Sequence, residues 1–127
     1  MSKAKVLVLD DDPVARDIFS RVLRAEGYEV SSAGTAQQAI DMAESFKPQA
    51  LVSDWMLKEE LDGLDVARAI RDRQPELRIF FITGLPADHL RNQLNGLTIC
   101  KIYEKPAQFD PLLSDLEAEF GNNGRAS

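Results

Sequence analysis

The sequence predicts a doubly wound α/β fold: a five-stranded parallel sheet covered on both faces by helices, a (βα)5 three-layer sandwich. Three observations predict it. Short apolar runs rich in β-branched and aromatic residues recur along the chain, the pattern of strands buried on both faces. Between them lie longer stretches with apolar residues three and four apart, the spacing of a helix with one buried face. The two kinds of segment alternate, and consecutive parallel strands need such crossovers, right-handed in sense.

Val6 to Leu9 is the first strand. Asp12-Pro13 then reads as an N-cap followed by proline at the first helical position. Val14, Ile18 and Val22, with Ala15, Phe19 and Leu23, form an apolar stripe that ends at Gly27. "YEVSSA" is a second, shorter strand. Thr35-Ala36-Gln37-Gln38 reads as a capping box. Ala36, Ala39, Ile40, Ala43 and Phe46 make the next stripe, which Pro48 stops.

"ALVS" is the third strand and ends in Asp54. A charged loop, "WMLKEELDG", leads to a helix with Leu64, Ala67 and Ile70 on one face, closed by Pro75. "RIFFITG" and "TICKIY" are the fourth and fifth strands, with a short, weakly amphipathic helix around Leu90 and Leu94 between them. Asp110-Pro111 repeats the cap-then-proline start, and Leu112, Leu113, Leu116 and Phe120 make the last stripe. "GNNGRAS" is polar and has nothing to bury. The expected organisation is one domain over residues 1–120 and a flexible C-terminal tail over 121–127, with no interior linker or internal repeat.

At 127 residues the chain is long enough to bury a real core. Its formal net charge of −6, with lysines and arginines scattered, argues against direct nucleic-acid binding or an anionic membrane surface. No stretch approaches the roughly 20 apolar residues of a membrane span, and the first apolar run is too short for a signal peptide. A single cysteine, Cys100, excludes an internal disulfide, fits a reducing compartment and reads as a buried strand residue. A cytoplasmic location is expected.

Ligands of open α/β sheets bind beyond the carboxyl ends of the strands. There the sequence puts Asp10-Asp11-Asp12, Asp54, Thr83-Gly84 and Lys105-Pro106. Clustered acids suit a hard cation such as Mg2+, which removes their mutual repulsion. Cation, hydroxyl and ammonium can together surround the oxygens of a phosphoryl group in transfer. His89, the one histidine, has no nucleophile or base beside it in sequence and reads as exposed and inert. Trp55 reads as a packing residue at the mouth.

"VLVLDDDP", "LVSDW" with a following "DG", "FFITG" and "YEKP", in that order and at matching separations, resemble the response-regulator receiver domain of two-component signalling. The resemblance covers roughly residues 5–120 and implies a flavodoxin-like fold. It implies a phosphoprotein that is not an enzyme in the ordinary sense. Asp54 would accept a phosphoryl group from a histidine kinase or histidine phosphotransfer protein, in a self-catalysed, Mg2+-dependent reaction. Asp11 would hold Mg2+ directly and Asp10 largely through water, with Asp54 and the backbone carbonyl of Met56 as further ligands. Thr83 would bond a phosphoryl oxygen, and Lys105 would pair with the phosphate or with Asp54. Asp12 is left as the helix cap.

The resemblance further implies a cis Lys105–Pro106 bond and signalling through the face of the fourth helix, fifth strand and fifth helix. That face would meet an effector protein or output domain, by a monomer or a dimer. The resemblance also implies that the positions two past Asp54 and Thr83 hold the attacking water; here they are Met56 and Leu85, apolar and unable to orient it, so slow loss of the aspartyl phosphate is expected.

Three positions depart from the family. Lys58 replaces a proline common in the loop after the acceptor, and one extra residue precedes Asp62-Gly63. Ile102 stands where an aromatic switch residue is common, and its neighbour Tyr103 should face the other way because strand side chains alternate. Two rival readings stand beside this one. "LVLDDDPV" also matches haloacid-dehalogenase-like phosphatases, with Asp10 as nucleophile and Asp12 as acid/base. A pseudo-receiver, a binding module without phosphorylation, is the third.

Overall fold

The computed structural model of the protein describes residues 3–57, 62–99, 101–105 and 109–121. Lys58 and the loop insertion, Cys100, the side chain of His89, Pro106 with its peptide bond, and residues 122–127 fall outside the described residues. The elements alternate as expected: β1 (Lys5–Leu9), α1 (Pro13–Ala25), β2 (Glu29–Ala33), α2 (Ala36–Phe46), β3 (Ala50–Asp54), α3 (Gly63–Arg73), β4 (Arg78–Thr83), α4 (Ala87–Arg91), β5 (Lys101–Glu104) and α5 (Phe109–Leu116). A single π-helical turn, Glu117–Gly121, follows α5.

All four strand pairings are parallel, in the order β2-β1-β3-β4-β5. Alternation along each strand divides the core in two. Leu7, Leu9, Leu51, Ile79, Phe81 and Ile102 pack under α2, α3 and α4. Val6, Val8, Val52, Phe80, Ile82 and Tyr103 pack under α1 and α5. Ile102 and Tyr103 thus face opposite layers, as strand alternation requires. Each large apolar side chain withdrawn from water contributes about 1.5–3 kcal/mol, so both layers hold the sheet flat against its helices.

Local detail corrects four expectations. On α1 the row Val14–Ile18 is exposed, while Phe19 and Leu23 are buried. The two rows lie about 100° apart on the helix, and a sheet surface buries one of them. The Thr35 cap forms, with its hydroxyl accepting from the Gln38 N–H at 3.1 Å, but the Gln38 side chain reaches past it to the Gly34 N–H. Asp110 lies within the first turn of α5 rather than at its cap. α4 stops at Arg91, so Leu94 lies in the turn beyond it.

Asn95 and Gly96 then take left-handed backbone angles (φ 47° and 85°). Two arginines of α3 fix this turn. Arg68 donates to the Leu94 carbonyl, and Arg71 to the carbonyls of Leu77 and Thr98 at 2.8 and 2.7 Å.

Candidate functional site

β1 and β3 pair Leu9 with Ser53, so the next residues, Asp10 and Asp54, leave their strands side by side. On the other flank of β3, Asp54 pairs with Ile82, which brings Thr83 and then Lys105 to the same edge. Parallel pairing therefore gathers residues far apart in the chain at one mouth. It is a cleft of about 480 Å3 whose lining includes Asp10, Asp11, Asp12, Asp54, Met56 and Lys105.

Asp54 is buried. Its Oδ2 accepts from Lys105 Nζ at 3.0 Å, and its Oδ1 accepts from the Met56 N–H at 3.3 Å. Asp10 is also buried, with its Oδ1 accepting from the Asp12 N–H at 2.9 Å. Asp11 is half-buried beside it. One carboxylate oxygen from each of Asp10, Asp11 and Asp54 lies within 4.8 Å of the others.

Burial pushes the Asp10 carboxyl above its ordinary range, and the charges of Asp54 and Asp11 push it further. The Asp12 N–H and the Lys105 ammonium oppose this without cancelling it. Burial alone would lower the Lys105 ammonium, but its hydrogen bond to Asp54 and the charges of Asp54, Asp10 and Asp11 hold it above the ordinary lysine value. Among the described residues, the Lys105 ammonium faces all three carboxylates and does not by itself balance them. An all-oxygen donor set with surplus negative charge fits a hard divalent cation such as Mg2+.

Thr83 is fully buried at the end of β4. Its hydroxyl accepts from the Leu85 N–H at 2.9 Å, and its carbonyl accepts from the Lys105 N–H at 2.7 Å. It adjoins the cleft rather than lining it. Met56 projects its side chain into solvent, as does Leu85. Asp12 is exposed and caps α1, its Oδ1 accepting from the Val14 N–H at 3.1 Å.

Trp55 corrects its expected place. It is buried in the layer under α2 and α3, edge-on to Phe81 with ring centroids 4.7 Å apart, and does not line the mouth. β-alternation explains this, because Asp54 and its successor point to opposite sides of the strand.

Two features went unread in the sequence. Asp62 and Asp65 form a reciprocal capping box at the start of α3, which the Asp-x-x-Asp spacing signals. Gly63 brings that helix start against β3: its N–H donates to the Trp55 carbonyl at 2.8 Å. A Cβ there would lie 2.2 Å from the Asp54 carbonyl oxygen, so only glycine fits. The other feature is Glu104, one before Lys105, whose Oε2 accepts from the Ala87 N–H at 3.0 Å. It serves an α4 start that has no side-chain cap of its own. No local pattern announces that pairing.

The response regulator receiver domain profile matches residues 6–117. The chain belongs to that family. Among relatives of this receiver domain, response regulator MprA of Mycobacterium avium is 34% identical over 90% of this chain and 50% of its own length. The probable transcriptional regulatory protein TcrX of Mycobacterium tuberculosis is 37% identical over 73% of this chain and 38% of its own. The chain thus spans half or less of the length of these relatives.

Among solved structures, response regulator TrrA of Thermotoga maritima, in complex with Mg(2+)-BeF, is 26% identical. It matches with a TM-score of 0.79 over 93% of this chain and 98% of that one. A CheY-like receiver domain protein of Methanospirillum hungatei shares the fold at a TM-score of 0.85, over 98% of each chain, with 20% identity. The receiver-domain match sets aside the dehalogenase-like reading. Among the described residues no helix is long and apolar enough to cross a membrane.

Proposed function

We propose that this receiver domain accepts a phosphoryl group on Asp54 from a histidine kinase or histidine phosphotransfer protein and signals by the resulting change at the α4–β5–α5 face. One observation carries the reading. The buried Asp54 carboxylate is held by Lys105 at 3.0 Å, with two further carboxylates close enough to share a cation with it. Asp10, Asp11, Asp54 and the Met56 carbonyl would hold Mg2+, which when bound supplies the positive charge that the cluster lacks. TrrA, which carries Mg(2+)-BeF, supports the assignment by likeness.

An Asp54 oxygen attacks phosphorus while the bond from phosphorus to the donor nitrogen breaks, leaving its electron pair on the departing imidazole. Lys105 keeps Asp54 oriented before transfer and faces the added negative charge after it. Thr83 gives up the Leu85 N–H to reach a phosphoryl oxygen, which loosens the entry to the short α4 segment beside its Glu104 tie at Ala87. Effector proteins or an output domain would read the altered α4–β5–α5 surface, with the domain monomeric in the cytoplasm and extending to Phe120. Exposed, apolar Met56 and Leu85 offer no hydrogen bond to an attacking water, so the aspartyl phosphate is lost slowly.

Acetyl phosphate with Mg2+ should label the wild type without a kinase. Asp54→Asn should abolish the base- and hydroxylamine-labile label and Asp10→Asn should only slow it. A label that survives Asp54→Asn would overturn the assignment.

A further inference from the structure

Arg16 lies one turn into α1, half-buried, and its guanidinium turns back under the mouth. Its Nη1 donates to the Asp10 backbone carbonyl at 2.9 Å. The Asp10 N–H donates to the Ala33 carbonyl at 3.2 Å, so the first acid is held through its main chain on both sides. The guanidinium reaches Asp10 only because Gly34 leaves room. A Cβ at Gly34 would lie 2.5 Å from Arg16 Nη1 and 3.2 Å from its Cζ. Gly34 has no left-handed backbone angle to explain it, unlike Gly27 and Gly96. Close approach of Arg16 is what its missing side chain permits.

From this we infer that Arg16 and Gly34 act as one positioning unit for the cation site: the guanidinium, seated on Gly34, fixes the Asp10 main chain and thereby the convergence of Asp10 and Asp11 on Asp54. The inference rests on the proposed Mg2+-dependent phosphoacceptor reading. Arg16 touches neither the acceptor nor the acidic side chains in any described hydrogen bond. Its effect is transmitted through the backbone, as with groups that orient metal ligands from behind.

The geometry supplies its own test. At Gly34→Ala the three atoms nearest the new methyl all belong to the far end of the flexible Arg16 side chain, so the guanidinium should swing away at little cost to the fold. Calorimetric titration with Mg2+ should show binding weakened about tenfold in Arg16→Ala and by a similar factor in Gly34→Ala. In the double variant the loss should equal that of Arg16→Ala alone, because the methyl then has nothing to displace. Arg16→Gln replaces Arg16→Ala in the cycle if the latter does not fold.

Thermal midpoints of the Gly34→Ala protein in EDTA should stay near wild type, separating affinity from stability. Wild-type-like Mg2+ affinity in Gly34→Ala, or additive losses in the double variant, would overturn the positioning role while leaving the phosphoacceptor reading intact. Absence of Mg2+ binding by the wild type would overturn both.

Discussion

The two ends of the sheet use the same residue types to opposite effect. At the carboxyl ends of the strands, Asp10, Asp11 and Asp54 crowd together, with Lys105 paired to Asp54, and Asp10 is left with a carboxyl harder to ionise than usual. At the amino ends, two opposite charges meet twice: Lys3 pairs with Glu117 at 2.9 Å and Arg78 with Glu119 at 2.6 Å, all four partly in water. The amino end also has the larger cleft, about 520 Å3, lined by Pro48, Pro75, Arg78 and Phe120 among others. Size therefore does not mark the functional end. Unbalanced charge does, because buried like charges raise free energy that only a bound cation or a changed protonation state relieves.

The largest way to break the comparison is to spoil the close approach that builds the acidic end. In Gly63→Ala the methyl would meet the Asp54 carbonyl at 2.2 Å and Ser53 Oγ at 2.8 Å. The first is backbone and cannot step aside, so a loss of about 3 kcal/mol is expected by denaturant unfolding, at the upper end of ordinary overpacking. Wild-type stability would mean that α3 can shift without moving Asp54.

Asp10→Asn should act with the opposite sign. Without divalent ions it removes a buried charge repelled by Asp54 and Asp11 but keeps an oxygen for the Asp12 N–H. The melting temperature should rise, on the order of 5 °C for a domain of this size. Added Mg2+ should then stabilise the variant far less than it stabilises the wild type, for which ligand linkage raises the midpoint. A lower midpoint in EDTA would show that the cluster is not strained.

Tyr28 tests whether an unbalanced group also hides at the quieter end. Its hydroxyl is buried and has no hydrogen-bond partner among the described residues, and burial, with the charges of Glu117 and Glu26, pushes its pKa up from 10.0 to about 12. A value higher in the folded than in the unfolded chain means that folding favours the protonated phenol. That stabilisation is full below pH 10 and is lost as pH rises toward 12. Tyr28→Phe should be about 1 kcal/mol more stable at neutral pH, since a buried, unpaired donor goes. It should also lose less stability than wild type between pH 10 and 12, a difference that unfolding at both values would reveal or refute.

Most of the fold and the acid–lysine constellation were legible because they follow from periodicity and from what ends each strand. Val6–Leu9 had to be a strand buried on both faces, and Asp54 had to follow one. What escaped the sequence depends on three-dimensional approach. Val14 and Ile18 look as buriable as Phe19 and Leu23 until the sheet selects one row of α1. Trp55 next to Asp54 suggested a mouth residue, yet alternation sends it to the core. Gly34 and Gly63 carry no local sign of the room they make, since the atoms they make room for come from α1 and from β3. Glu104 serves α4 from 17 residues away. Local pattern carries none of these distances.

The smallest expected effect sharpens the comparison from the amino end. Arg78 Nε and a Glu119 carboxylate oxygen lie 2.6 Å apart with side chains 44% and 35% exposed. Water screens such a pair, and ordering two long side chains offsets much of the attraction, so a double-mutant cycle over Arg78→Ala and Glu119→Ala should give about 0.2–1 kcal/mol. Because the Debye length shrinks to about 3 Å at 1 M ionic strength, most of that coupling should vanish in 1 M NaCl. Arg78 also donates to the Glu76 carbonyl, so its single substitution will cost more than the pair is worth, and the cycle is needed to separate the two. Mg2+ affinity should be unchanged in all three variants, since the pair sits at the opposite end of β4 from Thr83. A coupling above 2 kcal/mol that persists in high salt would place strain-bearing charge at both ends and remove the distinction that marks the mouth as the site.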